Sequence, residues 1–199
     1  AGGLVGEVIQ VWRPRELNTH ETEWGFSCMS YEISGALGIK MANPDKEVIS
    51  FVGDGSYLLN NTDIYSSVIT NNKLIIIVCD NGGFAVINRL QLFKGGNEYN
   101  NLLKSSNTPG LVDIDFAKHA ESMGAKSEHV SSISDLEEAF KRAKKSKVTY
   151  VISIKTHAYQ WLEGSAFWDS PTLEVPTTKE NKEALRLYKE GKSKQRQGV

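Results

Sequence analysis

Three apolar, β-branched runs stand out from an otherwise mixed chain. They span residues 47–52 (EVISFV), 73–79 (KLIIIVC) and 148–154 (VTYVISI). Each run is almost continuously apolar and does not alternate between apolar and polar residues. That pattern is typical of strands buried on both faces of a parallel sheet, so the sequence predicts three such β-strands.

Helical patterns lie between and after these runs. The predicted helices span residues 30–42, 59–70, 115–123, 134–146 and 178–192. The helix at 134–146 is expected to begin with a capping box formed by Ser134 and Glu137. Because strands alternate with helices of this length, the predicted fold is α/β, with a doubly wound, mainly parallel sheet flanked by helices.

The ends of the chain differ from its middle. Residues 1–22 show no clear period and are expected to form an irregular N-terminal segment, whereas 23–176 form the main domain and 177–199 a C-terminal helix and tail. Residues 157–176 are aromatic and irregular. The chain opens at Ala1 and not at Met, which favours a piece of a longer polypeptide or a processed subunit.

Composition narrows the classes of function. The 199 residues include 23 Lys and Arg against 24 Asp and Glu. The chain therefore lacks the excess of basic residues that would indicate binding to a nucleic acid or to a membrane surface. The longest apolar run, 74–79, is too short to span a bilayer. Cys28 and Cys79 do not form a disulfide framework, which favours the cytoplasm.

Two glycine-rich segments, 53–56 (GDGS) and 81–84 (NGGF), each follow a predicted strand. Ligands bind at the carboxyl ends of strands in open α/β sheets, and glycine lets the backbone approach a phosphate closely. A carboxylate such as Asp54 repels phosphate unless a cation lies between them. The Asn81 amide and a backbone carbonyl near Gly83 supply further oxygen ligands. The pattern therefore predicts Mg²⁺ bridging to a diphosphate.

Simpler interpretations of these segments are less specific. A single G-D-G in a loop is usually a turn. Residues 53–58 do not match the G-x-G-x-x-G motif of dinucleotide-binding proteins, because Leu58 occupies the place of the third glycine. The two segments together, with the spacing between Asp54 and Asn81, resemble the motif of thiamine-diphosphate enzymes. The resemblance implies thiamine diphosphate and Mg²⁺ as cofactors. The metal ligands that it implies are Asp54, Asn81 and Gly83, and the remaining cofactor contacts are Gly53, Gly55, Ser56 and Phe84.

An upstream segment carries a second resemblance. Residues 25–30 (GFSCMS), followed by 35–38 (GALG), are similar to the decarboxylase and acetohydroxyacid synthase branch of these enzymes. In that branch a bulky apolar residue wedges under the cofactor, and Met29 falls at this position. Ser27 falls where a backbone carbonyl accepts from the aminopyrimidine, although the family often has Gly there. The alternative for Met29 is ordinary core packing.

A longer match narrows the resemblance. Residues 24–58, 80–91 and 165–176 resemble the C-terminal domain of the 3D-(3,5/4)-trihydroxycyclohexane-1,2-dione hydrolases, a ring-opening family of myo-inositol catabolism. The resemblance implies a C–C bond hydrolase, a cyclic polyol dione as substrate, 5-deoxyglucuronate as product and a homo-oligomer. It also implies an activating glutamate on a pyrimidine-binding domain, in the same polypeptide or in another subunit. Nothing in this sequence matches that domain, so the chain alone is expected to be inactive.

Two other hypotheses remain open. The chain could be the small subunit of a split thiamine-diphosphate-dependent 2-oxoacid decarboxylase or oxidoreductase, or a non-catalytic module that binds the cofactor or a nucleotide. His157, Glu163 and Trp168 lie after the third predicted strand and could face the site. A contact in a loop or lid is the favoured role for each of them.

Overall fold

A computed structural model describes residues 1–23, 25–110, 112–162 and 172–195 of the chain. In these ranges no helix is long and apolar enough to cross a membrane. The elements, in chain order, are α1 (Gly3–Val11), α2 (Tyr31–Ala42), β1 (Ile49–Gly53), α3 (Asp54–Leu59), α4 (Thr62–Ile69), β2 (Ile75–Asp80), α5 (Ala85–Phe93), a 3₁₀ turn (Leu103–Ser105), α6 (Phe116–Ser122), β3 (Lys126–Val130), α7 (Ile133–Lys145), β4 (Tyr150–Lys155) and α8 (Lys179–Ser193).

The four strands form one parallel sheet in the order β1-β2-β4-β3. In the central register, Ile75 pairs with Ile49 on one side and with Tyr150 on the other. The predicted α/β fold with a parallel sheet and flanking helices is therefore confirmed. The carboxyl ends of β1, β2 and β4 lie at one edge of the sheet, which is where the candidate site is expected.

Helices cover both faces of the sheet. On one face, α2, α4 and α6 contribute the buried residues Ile33, Ile64 and Phe116 to a core with β1 and β2. On the other face, Ala139 of α7 packs against Ile152 of β4. Full burial of one large aliphatic side chain contributes roughly 1.5–3 kcal/mol, so the apolar central strands anchor the domain.

The three predicted strands are confirmed, with each beginning about two residues later than expected. The fourth strand, β3, was not predicted. Its sequence, KSEHV, is mostly polar, and only Val130 is buried. β3 pairs with β4 alone, and an edge strand needs no continuous apolar run because water covers much of it.

The expectation of an irregular segment at 1–22 is wrong for Gly3–Val11, which form α1 and pack against β1. Three glycines, Gly2, Gly3 and Gly6, weaken the helical signal there because glycine favours the unfolded chain. The domain boundaries at 23–176 and 177–199 stay predictions.

Two helix starts differ from the sequence prediction. The helix predicted at 59–70 is shorter than expected, because Leu59 is the last residue of α3 and α4 begins only at Thr62. The cap of α7 is Ser132 and not Ser134. The Ser132 hydroxyl accepts from the Asp135 N–H at 3.0 Å and donates to the Asp135 carboxylate at 2.7 Å. The Ser132 side chain therefore caps α7 two residues before the predicted cap.

The C-terminal helix, α8, is hydrogen-bonded to the end of α5. Thr178 caps α8 by accepting from the Asn181 N–H at 3.1 Å. The Asn181 side chain donates to the carbonyls of Lys94 and Gly95 at 3.1 and 2.8 Å. A methyl group on Gly95 would lie 2.5 Å from the Glu180 carbonyl carbon, so the two segments touch closely. α8 thereby contributes hydrogen-bond donors to backbone carbonyls at the end of α5.

Candidate functional site

The two glycine-rich segments lie side by side at the carboxyl edge of the sheet. Gly53, at the end of β1, pairs with Cys79 near the end of β2. Asp54 follows at once as the first residue of α3, and its carboxylate accepts from the Asn81 backbone N–H at 3.5 Å. The structure thus places Asp54 and Asn81 next to each other, as their positions after neighbouring strands predict.

Asp54 is a buried acid in surroundings that do not favour its charge. Only 4% of the residue is exposed. Burial, and then the nearby Asp80 carboxylate, raises the pKa of Asp54 to about 6, against the lowering effect of the N–H groups of Asn81 and Gly83. Within the described ranges, no ion pair joins Asp54 to a basic side chain. A bound cation would supply the missing positive charge.

The Asn81 side chain offers a second oxygen that could bind a ligand. Its side-chain Oδ1 is buried and has no hydrogen-bond partner among the described residues. A buried oxygen without a partner is costly, so such atoms in native proteins usually bind water or an ion. The described residues contain no cluster of three or more His, Cys, Asp or Glu suited to a metal. One carboxylate, one amide and a backbone carbonyl are instead oxygen donors that fit Mg²⁺.

The segment after β2 is held by a strand-like contact with residues 101–103. The Phe84 N–H donates to the Asn101 carbonyl at 2.7 Å, and the Leu103 N–H donates to the Gly82 carbonyl at 2.9 Å. Gly83 has a φ of 142°, and a Cβ there would lie 2.4 Å from the Asn101 carbonyl oxygen. Only glycine fits at this position. The sequence analysis did not identify residues 101–103, which carry no motif.

The glycine-rich segments also touch through their side chains. A Cβ on Gly55 would lie 2.6 Å from the Phe84 ring, so the absence of a side chain lets the ring lie against the start of α3. Gly55 and Ser56 are both buried, and Gly53 is half-buried. These positions surround the first turn of α3, where backbone N–H groups lack helical partners and favour an anion.

An ion pair adjoins these segments. Lys155 is the last residue of β4 and Asp80 the last residue of β2. Their charged atoms lie 2.7 Å apart. The other oxygen of Asp80 accepts from the Gly82 N–H at 2.9 Å, and Lys155 also contacts Asp113 at 2.9 Å. The sequence analysis missed this pair. The sequence shows a lysine at the end of one apolar run and an acid at the end of another, but it does not show that the two strands are neighbours.

Ser27 and Met29 lie on the loop that precedes α2. Ser27 is exposed with a φ of 54°, and Met29 is half-buried. Glu23 shapes the loop by accepting from the N–H groups of Phe26 and Cys28, which lowers the pKa of the Glu23 carboxyl. Within the part of the chain that the structure describes, neither Ser27 nor Met29 hydrogen-bonds to the strand-end segments. Their cofactor contacts stay predictions.

Three residues, His157, Glu163 and Trp168, were proposed for a loop or lid. His157 is exposed after β4. Glu163 and Trp168 lie outside the described residues. In the same segment, Trp161 packs under the Arg89 guanidinium at 4.6 Å and against the Phe93 ring. The segment after β4 therefore lies on α5, the helix that follows the second glycine-rich segment.

The sequence of the chain is similar to those of several curated proteins. The 3D-(3,5/4)-trihydroxycyclohexane-1,2-dione hydrolase of Shouchella clausii is 37% identical over 188 residues, which cover 94% of this chain and 29% of that protein. The hydrolases of Clostridium tetani and Bacillus subtilis are 38% and 36% identical, over 84% of the chain and 27% and 26% of their own lengths. The chain thus spans under a third of these relatives.

A solved structure and a family model agree with this comparison. The thiamine diphosphate-dependent 4-hydroxybenzoylformate decarboxylase of Rhodococcus jostii RHA1 superposes with a TM-score of 0.58 and 27% identity, covering 65% of this chain and 23% of that one. Residues 1–154 match the model of the thiamine pyrophosphate enzyme C-terminal TPP binding domain, where TPP is a synonym of thiamine diphosphate. The chain therefore belongs to the family of thiamine pyrophosphate enzyme C-terminal domains.

Proposed function

We propose that the chain is the thiamine-diphosphate- and Mg²⁺-binding domain of a C–C bond hydrolase. The substrate is 3D-(3,5/4)-trihydroxycyclohexane-1,2-dione, and its ring opens to 5-deoxyglucuronate in inositol catabolism. One observation supports the metal site most directly. Asp54 is a buried acid with no basic partner among the described residues, and it lies beside the buried Asn81 Oδ1, which has no hydrogen-bond partner in the same ranges. The substrate is proposed from the hydrolases that the chain resembles.

The residues have separate tasks in this proposal. Asp54, Asn81 and the Gly83 backbone carbonyl hold Mg²⁺, which neutralises the diphosphate. The backbone at Gly53, Gly55 and Ser56 orients the diphosphate at the start of α3. Phe84 forms an apolar wall beside it, and Met29 supports the cofactor from the loop before α2, where the Ser27 carbonyl accepts from the aminopyrimidine.

Bound thiamine diphosphate supplies a carbon nucleophile that the amino acids of a protein cannot provide. The chain itself binds the diphosphate end of the cofactor and excludes water from the buried acid Asp54. It offers no assigned acid or base for the reacting carbon. The activating glutamate belongs, in this proposal, to a pyrimidine-binding domain in the same polypeptide or in another subunit.

The surface of the site suits such a partner. The Phe84 ring, which lies against Gly55, is accessible in part, and Phe26 on the loop before α2 is 93% exposed. Apolar side chains beside a polar binding site are typical of a surface that another domain covers. We therefore propose that the functional unit is an oligomer in which the cofactor lies between two domains.

The metal and cofactor assignments are tested by calorimetry on the natural full-length polypeptide. Thiamine diphosphate is titrated with Mg²⁺ present and with Mg²⁺ chelated. Binding should require the metal, and Asp54→Ala should abolish it because one of two side-chain ligands is lost. Asp45→Ala removes an exposed acid and serves as the matched control. Unchanged affinity in Asp54→Ala would refute the metal assignment.

The reaction is tested with the same preparation. The full-length protein should open the cyclic dione when thiamine diphosphate and Mg²⁺ are added, and the 199-residue chain alone should not. Turnover of 4-hydroxybenzoylformate with no action on the dione would favour a 2-oxoacid decarboxylase, in line with the superposed structure. Metal-dependent cofactor binding without turnover of either compound would indicate a non-catalytic module.

A further inference from the structure

The ion pair between β2 and β4 lies beside the proposed metal ligands. Asp80 and Lys155 are register partners at the carboxyl ends of their strands, and their charged atoms lie 2.7 Å apart. The Asp80 side chain is 7% exposed, whereas that of Lys155 is 55% exposed. Lys155 thus extends from the rim of the site to a carboxylate that water hardly reaches.

Asp80 organises the turn that carries Asn81. Its carboxylate accepts from the Gly82 N–H at 2.9 Å, and its backbone carbonyl accepts from the Thr156 N–H at 2.7 Å. The Gly82 carbonyl accepts in turn from Leu103 at 2.9 Å. Asn81 is therefore held between two fixed residues, and one of those attachments depends on the Asp80 carboxylate keeping its position.

Charge makes Lys155 necessary for that position. Two buried carboxylates repel each other here, Asp54 directly after β1 and Asp80 at the end of the neighbouring β2. A single metal ion compensates only part of this charge once a diphosphate is bound. Lys155 neutralises Asp80 specifically, so Asp80 stays attached to Gly82 and does not turn toward the cation. A buried acid that loses a close cationic neighbour is expected to move or to recruit another cation.

We propose that Lys155 is a positioning residue for the metal site. It neutralises Asp80, fixes the Asp80–Gly82 turn and so holds Asn81 and Gly83 in place, while it leaves Asp54 as the one acid available to Mg²⁺. This inference rests on the proposed function. The second contact of Lys155, with Asp113, has little part in this role because the Asp113 side chain is 82% exposed and surface pairs are weak.

The test compares Lys155→Met with the double variant Asp80→Asn/Lys155→Met in the natural full-length polypeptide. Calorimetry gives the Kd for thiamine diphosphate at fixed Mg²⁺, and thermal unfolding is measured without the cofactor. Lys155→Met should weaken binding about tenfold, as is typical when a residue that supports metal ligands is lost. The double variant should recover most of the affinity, because an asparagine can still accept from Gly82 and carries no charge.

Two controls separate this role from a general effect. Lys147→Met removes an exposed lysine elsewhere and should bind like the wild type. Asp113→Asn should change the Kd less than twofold, since it leaves the Asp80 contact intact. If Lys155→Met does not fold, the double variant alone carries the test, because near wild-type affinity supports the inference and a tenfold loss overturns it.

The outcomes distinguish this inference from the proposed function. Wild-type protein without Mg²⁺-dependent binding overturns the proposed function, and this inference with it. Wild-type binding with an unchanged Kd in Lys155→Met overturns this inference alone. A Lys155→Met variant with a lower unfolding temperature but an unchanged Kd shows a purely structural ion pair and also overturns it.

Discussion

Gly55 lies against the ring of Phe84 so closely that a methyl group on Gly55 would come within 2.6 Å of a ring carbon. This contact joins the two glycine-rich segments, because Gly55 follows β1 and Phe84 follows β2. The ring position therefore depends on the absence of a side chain across from it.

Gly55→Ala should displace the Phe84 ring and destabilise the chain by about 1–3 kcal/mol, as is usual when a close contact is overpacked. Urea unfolding measures the change. Gly38→Ala is the matched control, because no atom lies within 4 Å of the added Cβ and alanine favours a helix. Gly55→Ala combined with Phe84→Leu should recover part of the loss. Equal stability of the Gly55→Ala and Gly38→Ala variants would contradict the contact.

Alanine substitutions at Gly82 and Gly83 should differ in their effect on stability. Both have positive φ values, 142° and 81°, but only the Cβ at Gly83 meets another atom, the Asn101 carbonyl oxygen at 2.4 Å. Gly82→Ala should cost about 1–2 kcal/mol from backbone strain alone. Gly83→Ala should cost more, because a backbone carbonyl cannot move aside without breaking the Phe84–Asn101 hydrogen bond. Unfolding curves in which Gly82→Ala is the less stable variant would show this ranking to be wrong.

Asp54 should make metal-free protein less stable as the pH rises. Its pKa is about 6 in the folded chain and about 3.9 in an unfolded one, so the folded chain holds the proton more tightly. The free energy of unfolding therefore falls between pH 4 and pH 6 and stays lower above that range. Asp54→Asn removes this cost and should stabilise metal-free protein at pH 8 by about 2–3 kcal/mol.

The same substitution should give little gain at pH 4, where the acid is already protonated in the folded chain. Thermal unfolding in the presence of a chelator measures both values, with the exposed Asp45→Asn as the control. A gain that is as large at pH 4 as at pH 8 would mean that the cost does not come from the Asp54 charge.

Asn181 is expected to hold α8 on the rest of the domain. Asn181→Ala removes two hydrogen bonds, to the Lys94 and Gly95 carbonyls, at a cost of about 1–3 kcal/mol. Hydrogen exchange at 179–193 should accelerate while exchange in β2 stays unchanged. The exposed Lys189→Ala provides the comparison on the same helix. Unaltered exchange in Asn181→Ala would mean that α8 is held by other contacts.

The sequence predicted the parts of the fold that depend on local pattern. β1, β2 and β4 were found because strands buried on both faces must be almost continuously apolar. β3 was missed because an edge strand escapes that requirement, and α1 was missed because its glycines conceal a short helix. The positions of Asp54 and Asn81 followed from a rule about strand ends, whereas their role as metal ligands is still a prediction.

Contacts between segments that are distant in the sequence could not be predicted from the pattern of apolar and polar residues. The Asp80–Lys155 pair depends on β4 lying next to β2, and no local signal specifies that order. The contact of Gly83 with Asn101 likewise depends on how a loop returns to the sheet. Such contacts depend on which strands pair and on the course of the loops. Both are determined by the complete fold and not by a local stretch of sequence.

The strand order also has a consequence for synthesis of the protein. β4 lies between β2 and β3 although it is the last of the four strands to leave the ribosome. A nascent chain that ends before Tyr150 can pair β1 with β2, but the other side of β2 then carries unpaired backbone groups along its apolar run. Such an exposed strand edge invites pairing with another chain. We therefore expect truncated or slowly translated chains to require chaperones until β4 completes the sheet.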